Sequence, residues 1–337
     1  MKEFLEDISL KAEEIKKKLK DLTFEDTLVF PLFTDLHTED AMSDSSQKLF
    51  EALKILKSKV KFHGVINLGD NFAMLGREIQ IDTNELKRRI NSLLDKIYET
   101  CSCPVINVHG NHDAIGTDFF KPDFWNDCVK GKYGLKNVVY GEGAYYYTDF
   151  DDCNARFVVL SIPHESDLEA ENPTPIWSFG IKQLEWVKSI ALVTDRKIIF
   201  LCHSPFYDEY RGQYGDVMYK VWNGVKICET PVANLCGWID DVGEMADIIK
   251  NFDAKNPGKL IACLSGHTHG DSLYEPFEEA EGFKNPLPCV QCVTAGVFRN
   301  KYEQTGLGFC MDVMVWTPSK NSLTMLRLGD GEDRKVK

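Results

Sequence analysis

The chain has 337 residues, 43% of them apolar and 27% charged, with a formal net charge of -13. That composition excludes disordered and fibrous classes, and the charge disfavours nonspecific attraction to nucleic acid or to an anionic membrane. An acidic chain that binds phosphate must therefore carry its own local positive charge, from a metal or from an Arg/Lys pocket.

No run approaches the ~20 apolar residues of a bilayer-spanning helix. The N-terminal stretch MKEFLEDISLKAEEIKKKLKDL lacks the apolar core of a secretory signal. A cytoplasmic location with reduced thiols is the expectation for the eleven cysteines. Cys101-Ser-Cys103 and Cys289-Val-Gln-Cys292 have no partner pair at zinc-ribbon spacing, so buried thiols are expected there.

Phe4, Leu5, Ile8, Ala12, Ile15, Leu19 and Leu22 recur at three- and four-residue steps, which predicts an amphipathic helix over residues 3–22. Residues 1–25 are thus expected to pack as an N-terminal helix on a single main domain over 26–330, with a charged tail at 331–337. From Thr27 onward short apolar runs alternate with helical patterns, the mark of an α/β arrangement. Helices are expected over 45–59, from a cap at Asp82 or Thr83, and over about 181–192 and 242–252. Residues 140–160 read as a hairpin pair of strands. The aromatic and Gly-rich stretch 206–238 reads either as a lid insertion or as an elaborated surface hairpin. With 117–140 it is the expected wall of a substrate pocket.

Five apolar runs share one habit. Residues 28–33 lead into Thr34-Asp35-Leu36-His37, and 65–68 into Gly69-Asp70-Asn71. Residues 105–108 lead through His109 into Gly110-Asn111-His112-Asp113, 198–202 into His203-Ser204, and 260–264 into Ser265-Gly266-His267-Thr268-His269. In open α/β sheets ligands sit outside the carboxyl ends of the strands. Asp35, His37, Asp70, Asn111, His203, His267 and His269 would meet there, with His112 and Asp113 left over.

Imidazole, carboxylate and carboxamide without thiolate suit borderline divalent transition metals, whereas Mg²⁺ and Ca²⁺ prefer all-oxygen shells. Seven donors exceed one tetrahedral site but suit two ions sharing a bridging carboxylate. On an extended segment, Asp35-x-His37 and His267-x-His269 would each place both side chains on one face. Glycines 69, 110 and 266 permit tight turns and close approach.

In this order these motifs resemble the calcineurin-like metallophosphoesterase superfamily, over about residues 27–296. The resemblance implies two mixed β-sheets packed as a sandwich between helices, a four-layer αββα arrangement. It implies that Asp35, His37, Asp70 and His269 hold one divalent ion (Mn, Fe, Zn, Ni or Co). Asp70, Asn111, His203 and His267 would hold the other, Asp70 bridging. It further implies hydrolysis of a phosphomonoester or phosphodiester on a small substrate by a metal-activated water. His112 would be the general acid and Asp113 its orienting partner. A non-catalytic scaffold and a nuclease are the competing expectations. The purple acid phosphatase branch, which has a metal-binding Tyr three residues after the Asp of the second motif, is disfavoured by Ala73.

Other candidates read more plainly. Pro31 within the first strand favours an edge or a bulge. His109 and His63 read as structural, His164 as a second-rank site candidate, Asp216 and Asp330 as turn residues, and Arg211 as solvated. Tyr145–Tyr147 read as a half-buried strand.

Overall fold

The structure is a computed structural model; it describes residues 1–72, 82–113, 122–162, 178–204, 242–267, 269, 272–274, 289–291 and 307–337. Helix α1 (Lys2–Leu22) buries Phe4, Ile8, Ala12, Ile15 and Leu19 along one stripe. Strand β1 (Leu28–Phe33) is buried throughout and is followed by α2 (Asp44–Lys57), capped by the Ser43 side chain accepting from Ser46 N–H. Then come β2 (Val65–Asn67), α3 (Thr83–Cys101) and β3 (Val105–Asn107). Asp82 caps α3 by accepting from Glu85 N–H at 2.8 Å, one of the four donors that a helix start leaves open.

The second half begins with α4 (Pro122–Val129), a helix the sequence pattern did not disclose, then β4 (Val138–Tyr140), β5 (Tyr146–Phe150) and β6 (Ala155–Val159). Helix α5 (Gly180–Trp186) runs into a π-helical turn, Val187–Ala191, where one continuous helix was expected. There the Arg156 guanidinium donates to the Ala191 carbonyl at 2.7 Å. Strand β7 (Lys197–Leu201), α6 (Val242–Lys255), β8 (Leu260–Ser265), β9 (Ser272–Tyr274), β10 (Cys289–Gln291), β11 (Cys310–Thr317), β12 (Ser322–Gly329) and β13 (Arg334–Lys335) complete the described elements.

Two mixed sheets result, one in the order β13-β12-β11-β1-β2-β3 and the other β4-β5-β6-β7-β8-β10-β9. Strands β1, β2 and β3 run parallel, as do β6, β7, β8 and β10, so their carboxyl ends share an edge within each sheet. Alternation along each strand sorts its side chains. Leu28, Phe30 and Leu32 join Phe157, Ile199, Leu201 and Trp316 in a core between the sheets. Val29 and Phe33 face α1, α2 and α3 on the outside. Val158, Phe200 and Cys202 face α5 and α6 on the other side. The architecture is the helix-flanked two-sheet sandwich that the resemblance implied.

Two expectations need correcting. Pro31 lies in a central strand, paired with Val313 of β11 on one side while β2 lies on the other. The Val29 and Phe33 carbonyls on that second side accept from His63 and Leu68 N–H. By alternation the Pro31 nitrogen faces the same way, just before β2 begins. It forfeits a single ladder bond there and leaves the antiparallel ladder to β11 intact. The charged C-terminal segment is not a free tail either: Arg334 and Lys335 pair with Met325 and Thr324, and Val336 is buried. Of the other readings, residues 206–238, His164, Arg211, Asp216 and Ala73 lie outside the described residues.

Candidate metal centre

The carboxyl ends of β1, β2, β3, β7 and β8 bring the sequence candidates together. Asp35, His37 and His269 offer donor atoms within 4.8 Å of one another; so do His37, Asp70 and His112, and so do Asp70, His203 and His267. The three groups overlap through His37 and Asp70. Asn111 lies between Gly110 and His112, both of which pack on Asp70.

The backbone aims these side chains in a way the alternation argument misses. Asp35, His37, Asp70, His267 and His269 all have positive φ, between 43° and 70°. This left-handed region disfavours non-glycine residues and is kept only where surrounding structure over-determines it. The same-face argument for Asp35-x-His37 and His267-x-His269 therefore fails, because neither pair is extended. Left-handed turns past the strand ends aim these side chains.

Two glycines make room. A Cβ on Gly110 would lie 2.3 Å from Asp70 Oδ1, and one on Gly266 would lie 2.4 Å from Asp35 Oδ2. Any side chain there would push a carboxylate out of place.

Each carboxylate is held by one oxygen and presents the other. Asp35 Oδ2 accepts from Thr34 Oγ1 at 2.6 Å and from His267 N–H at 2.9 Å. Its Oδ1 lies 3.3 Å from His269 Nε2 and 3.7 Å from His37 Nε2. Asp70 Oδ1 accepts from His112 N–H at 2.7 Å, while Oδ2 lies 3.1 Å from His203 Nε2 and 3.8 Å from His112 Nε2. His203 Nδ1 sits 2.8 Å from the Leu68 carbonyl, a contact that puts the proton on Nδ1 and turns the Nε2 lone pair into the cluster.

Electrostatics show what this arrangement requires. Burial pushes Asp35 and Asp70 up, but nearby imidazoles, His269 for Asp35 and His203 for Asp70, outweigh it and hold both carboxyls below the usual range. In return His203, despite burial, is raised to about 9, chiefly by Asp70, and His37 is also raised, chiefly by Asp35. The cluster is an anionic field lined with imidazoles, and a proton or a metal cation can satisfy it.

The fit to metal is specific. His37 Nε2 and His269 Nε2 face each other at 2.9 Å, as two donors aimed at one cation would. The buried Asn111 Oδ1 has no hydrogen-bond partner among the described residues, although buried polar atoms normally find one. The residues present thus suit divalent ions with mixed nitrogen and oxygen donors.

Asp113 stands elsewhere than expected. Its buried carboxylate accepts from Asp70 N–H at 3.0 Å, Asn71 N–H at 2.8 Å, Gly110 N–H at 3.1 Å and the Asn71 side-chain amide at 3.1 Å. Those bonds clamp the β2 turn to the β3 turn. Burial, and the Asp70 charge after it, lift Asp113 to about 7 against these donors. His109 stacks on Trp125 with ring centroids 5.0 Å apart, and burial pushes it down to about 3, the behaviour of a core imidazole. His63 accepts from Val29 N–H through Nδ1 at 3.1 Å, also a structural role. Sequence reasoning missed the Thr34 hydroxyl and the Leu68 carbonyl. A backbone carbonyl leaves no sequence signal at all, and Thr34 was visible only as a neighbour of Asp35.

The calcineurin-like phosphoesterase family profile matches residues 30–271, and the chain belongs to that family. Among solved structures, a dimetal phosphatase from Danio rerio is similar with a TM-score of 0.55 and 13% identity, over 92% of this chain and 98% of that one. A purple acid phosphatase from yellow lupin (Lupinus luteus) seeds gives a TM-score of 0.49 and 14% identity, over 92% of this chain and 52% of that one. A search of curated proteins gave no match. Among the described residues no helix is long and apolar enough to cross a membrane.

Proposed function

We propose that the chain is a phosphoester hydrolase with a dinuclear centre, acting on a small phosphorylated substrate. Asp35, His37, Asp70 and His269 hold one divalent ion, and Asp70, Asn111, His203 and His267 the other. The observation that carries this reading is the overlap of the His/Asp groups at Asp70, whose Oδ2 faces His203, His112 and His37. Such ions supply Lewis-acid charge that activates water and offsets charge on phosphoryl oxygens.

The protein's own groups do the rest. His203 keeps its Nε2 lone pair inward through the Leu68 carbonyl, and Asp35 is steadied by Thr34 and the His267 backbone. The His112 side chain is 25% exposed, against 1% or less for His37 and His203. That exposure supports a role in which His112 meets the substrate and donates a proton to the leaving oxygen. Burial lowers its pKa and Asp70 opposes that shift; an arriving phosphate anion adds to the opposition.

The test is hydrolysis of p-nitrophenyl phosphate and bis-p-nitrophenyl phosphate by protein reconstituted with Mn²⁺, Fe²⁺, Zn²⁺, Ni²⁺ or Co²⁺, with and without chelator. Chelator-sensitive turnover of either is expected; none with any metal would reject the enzyme reading in favour of a scaffold.

A second role for His112 has its own observation, since its donor atom also groups with His37 and Asp70. His112→Ala should cost ~10²–10⁴-fold in turnover, the scale of general acid catalysis, with metal content unchanged. Loss of a metal equivalent in that variant would make His112 a ligand instead.

A further inference from the structure

Outside the metal centre, one pair of reactive side chains is built into a junction. Helix α3 ends at Cys101, Ser102 follows with φ +51° and ψ +38°, and Cys103 precedes Pro104 and β3. An extended Ser102 would hold its neighbours' Cα atoms about 7 Å apart, at the upper limit for a disulfide. The left-handed turn shortens that separation, so the two thiols lie close enough to act on each other.

Their surroundings are asymmetric. Cys101 is buried and Cys103 only partly so; neither is in a disulfide. Across the junction, Lys57 of α2 donates from Nζ to the Thr100 carbonyl at 3.0 Å and to Ser102 Oγ at 3.1 Å. Its positive charge acts on both sulfurs in favour of thiolate. The contact with Cys101, and Lys57 after burial's opposing effect, lower Cys103, while Cys101 is raised. A partly exposed thiolate beside a buried thiol and a fixed cation is the arrangement of an attacking and a resolving cysteine.

We infer that Cys101 and Cys103 form a peroxide-reactive dithiol that closes to an intramolecular disulfide. The Cys103 thiolate attacks a peroxide oxygen, the O–O bond breaks, and Cys103 becomes a sulfenic acid as the first water or alcohol leaves. The Cys101 sulfur then attacks the Cys103 sulfur. The S–S bond forms, the S–O bond breaks, and hydroxide leaves with the Cys101 proton as water. Two thiols lose two electrons and two protons, and the peroxide is reduced. The pair sits at the entry to β3, the strand that leads to Asn111, His112 and Asp113, so the modification strikes the support of the metal centre.

The experiment treats the reduced full-length chain with hydrogen peroxide, removes the oxidant, unfolds and alkylates the protein, and maps its peptides. The expected result is loss of alkylation at both Cys101 and Cys103, with the peptide lighter by two hydrogen atoms and both sites restored by dithiothreitol. In the Cys103→Ser variant, a near-isosteric change at a partly exposed site, Cys101 should stay alkylatable after the same treatment. Full alkylation of both residues in the treated wild type would overturn the inference. So would a bond from either to another cysteine, or loss of Cys101 labelling in Cys103→Ser.

Discussion

Two regions of this molecule bury charge, and they do so in opposite ways. In the sheet of β11, β12 and β13, buried Asp312 is cross-strand from Arg327. Its carboxylate lies 3.1 Å from Arg327 Nε and also accepts from the Arg334 guanidinium. That anion meets cations the chain itself supplies. At the carboxyl edge of the parallel strands, Asp35 and Asp70 are equally buried but are surrounded by imidazoles, neutral unless protonated, and by the Asn111 amide. A buried charge with a built-in partner supports the fold. Buried carboxylates among imidazoles are met by a proton, or by a metal cation taken up from outside.

That contrast can be broken by mutation, and the largest effect is expected at Asp70. Asp70→Asn should lower turnover by more than ~10³-fold, beyond the loss of a single electrostatic donor, with reduced occupancy of both ions by elemental analysis. In metal-free protein the same change should lower stability by urea denaturation, because it removes a charge that the His203 and His112 imidazoles favour against the opposing effect of burial. Unchanged stability without metal would mean that the imidazoles hold no proton for Asp70 to pair with.

Asp312→Asn should leave metal binding alone and act on stability only. Stripping one partner from a buried ion cluster costs about 3–5 kcal/mol. That loss should be the same in metal-loaded and chelated protein, since sites with no shared partners add. A metal-dependent cost would mean that the two regions are coupled.

Asp113 tests the boundary between them, a buried carboxylate serving the site through three backbone N–H groups and the Asn71 amide. Asp113→Asn keeps the shape but offers one acceptor oxygen where two are used. Metal affinity, measured by titration, should fall by about 10–100-fold as for other outer-shell partners. Unchanged affinity would reduce the clamp to a local turn.

The smallest effect is expected at His63. Its Nδ1 accepts from Val29 N–H, and burial, with Lys61 after it, lowers its pKa. A histidine with a depressed folded pKa binds fewer protons folded than unfolded. Stability is therefore complete above its unfolded pKa of about 6.5 and declines as pH falls below that value. His63→Gln should flatten the acid limb of the stability curve in that window; an unchanged limb would remove His63 from the acid response.

How much of this was legible in the sequence depends on the range of the interaction. Helix α1 followed from its stripe of Phe4, Ile8, Ala12, Ile15 and Leu19, and α3 from its Asp82 cap, because both signals are local. The edge of the sheet followed from polar groups that directly end apolar runs. Helix α4 escaped because it is only eight residues long and has too few turns to set a period. The π-helical turn escaped local patterning, and the Arg156 guanidinium that meets its Ala191 carbonyl comes from another element.

The sequence by itself determined the α/β alternation, the strand endings and the identities of the donors, since each depends on neighbours along the chain. Only the tertiary structure decided that Pro31 sits in a central strand, that left-handed turns aim Asp35, His37, Asp70, His267 and His269, and that Asp113 clamps two turns. Each of those depends on contacts between residues distant in sequence. Backbone torsions and carbonyl acceptors are common to every residue type, so no spacing of letters could have announced them.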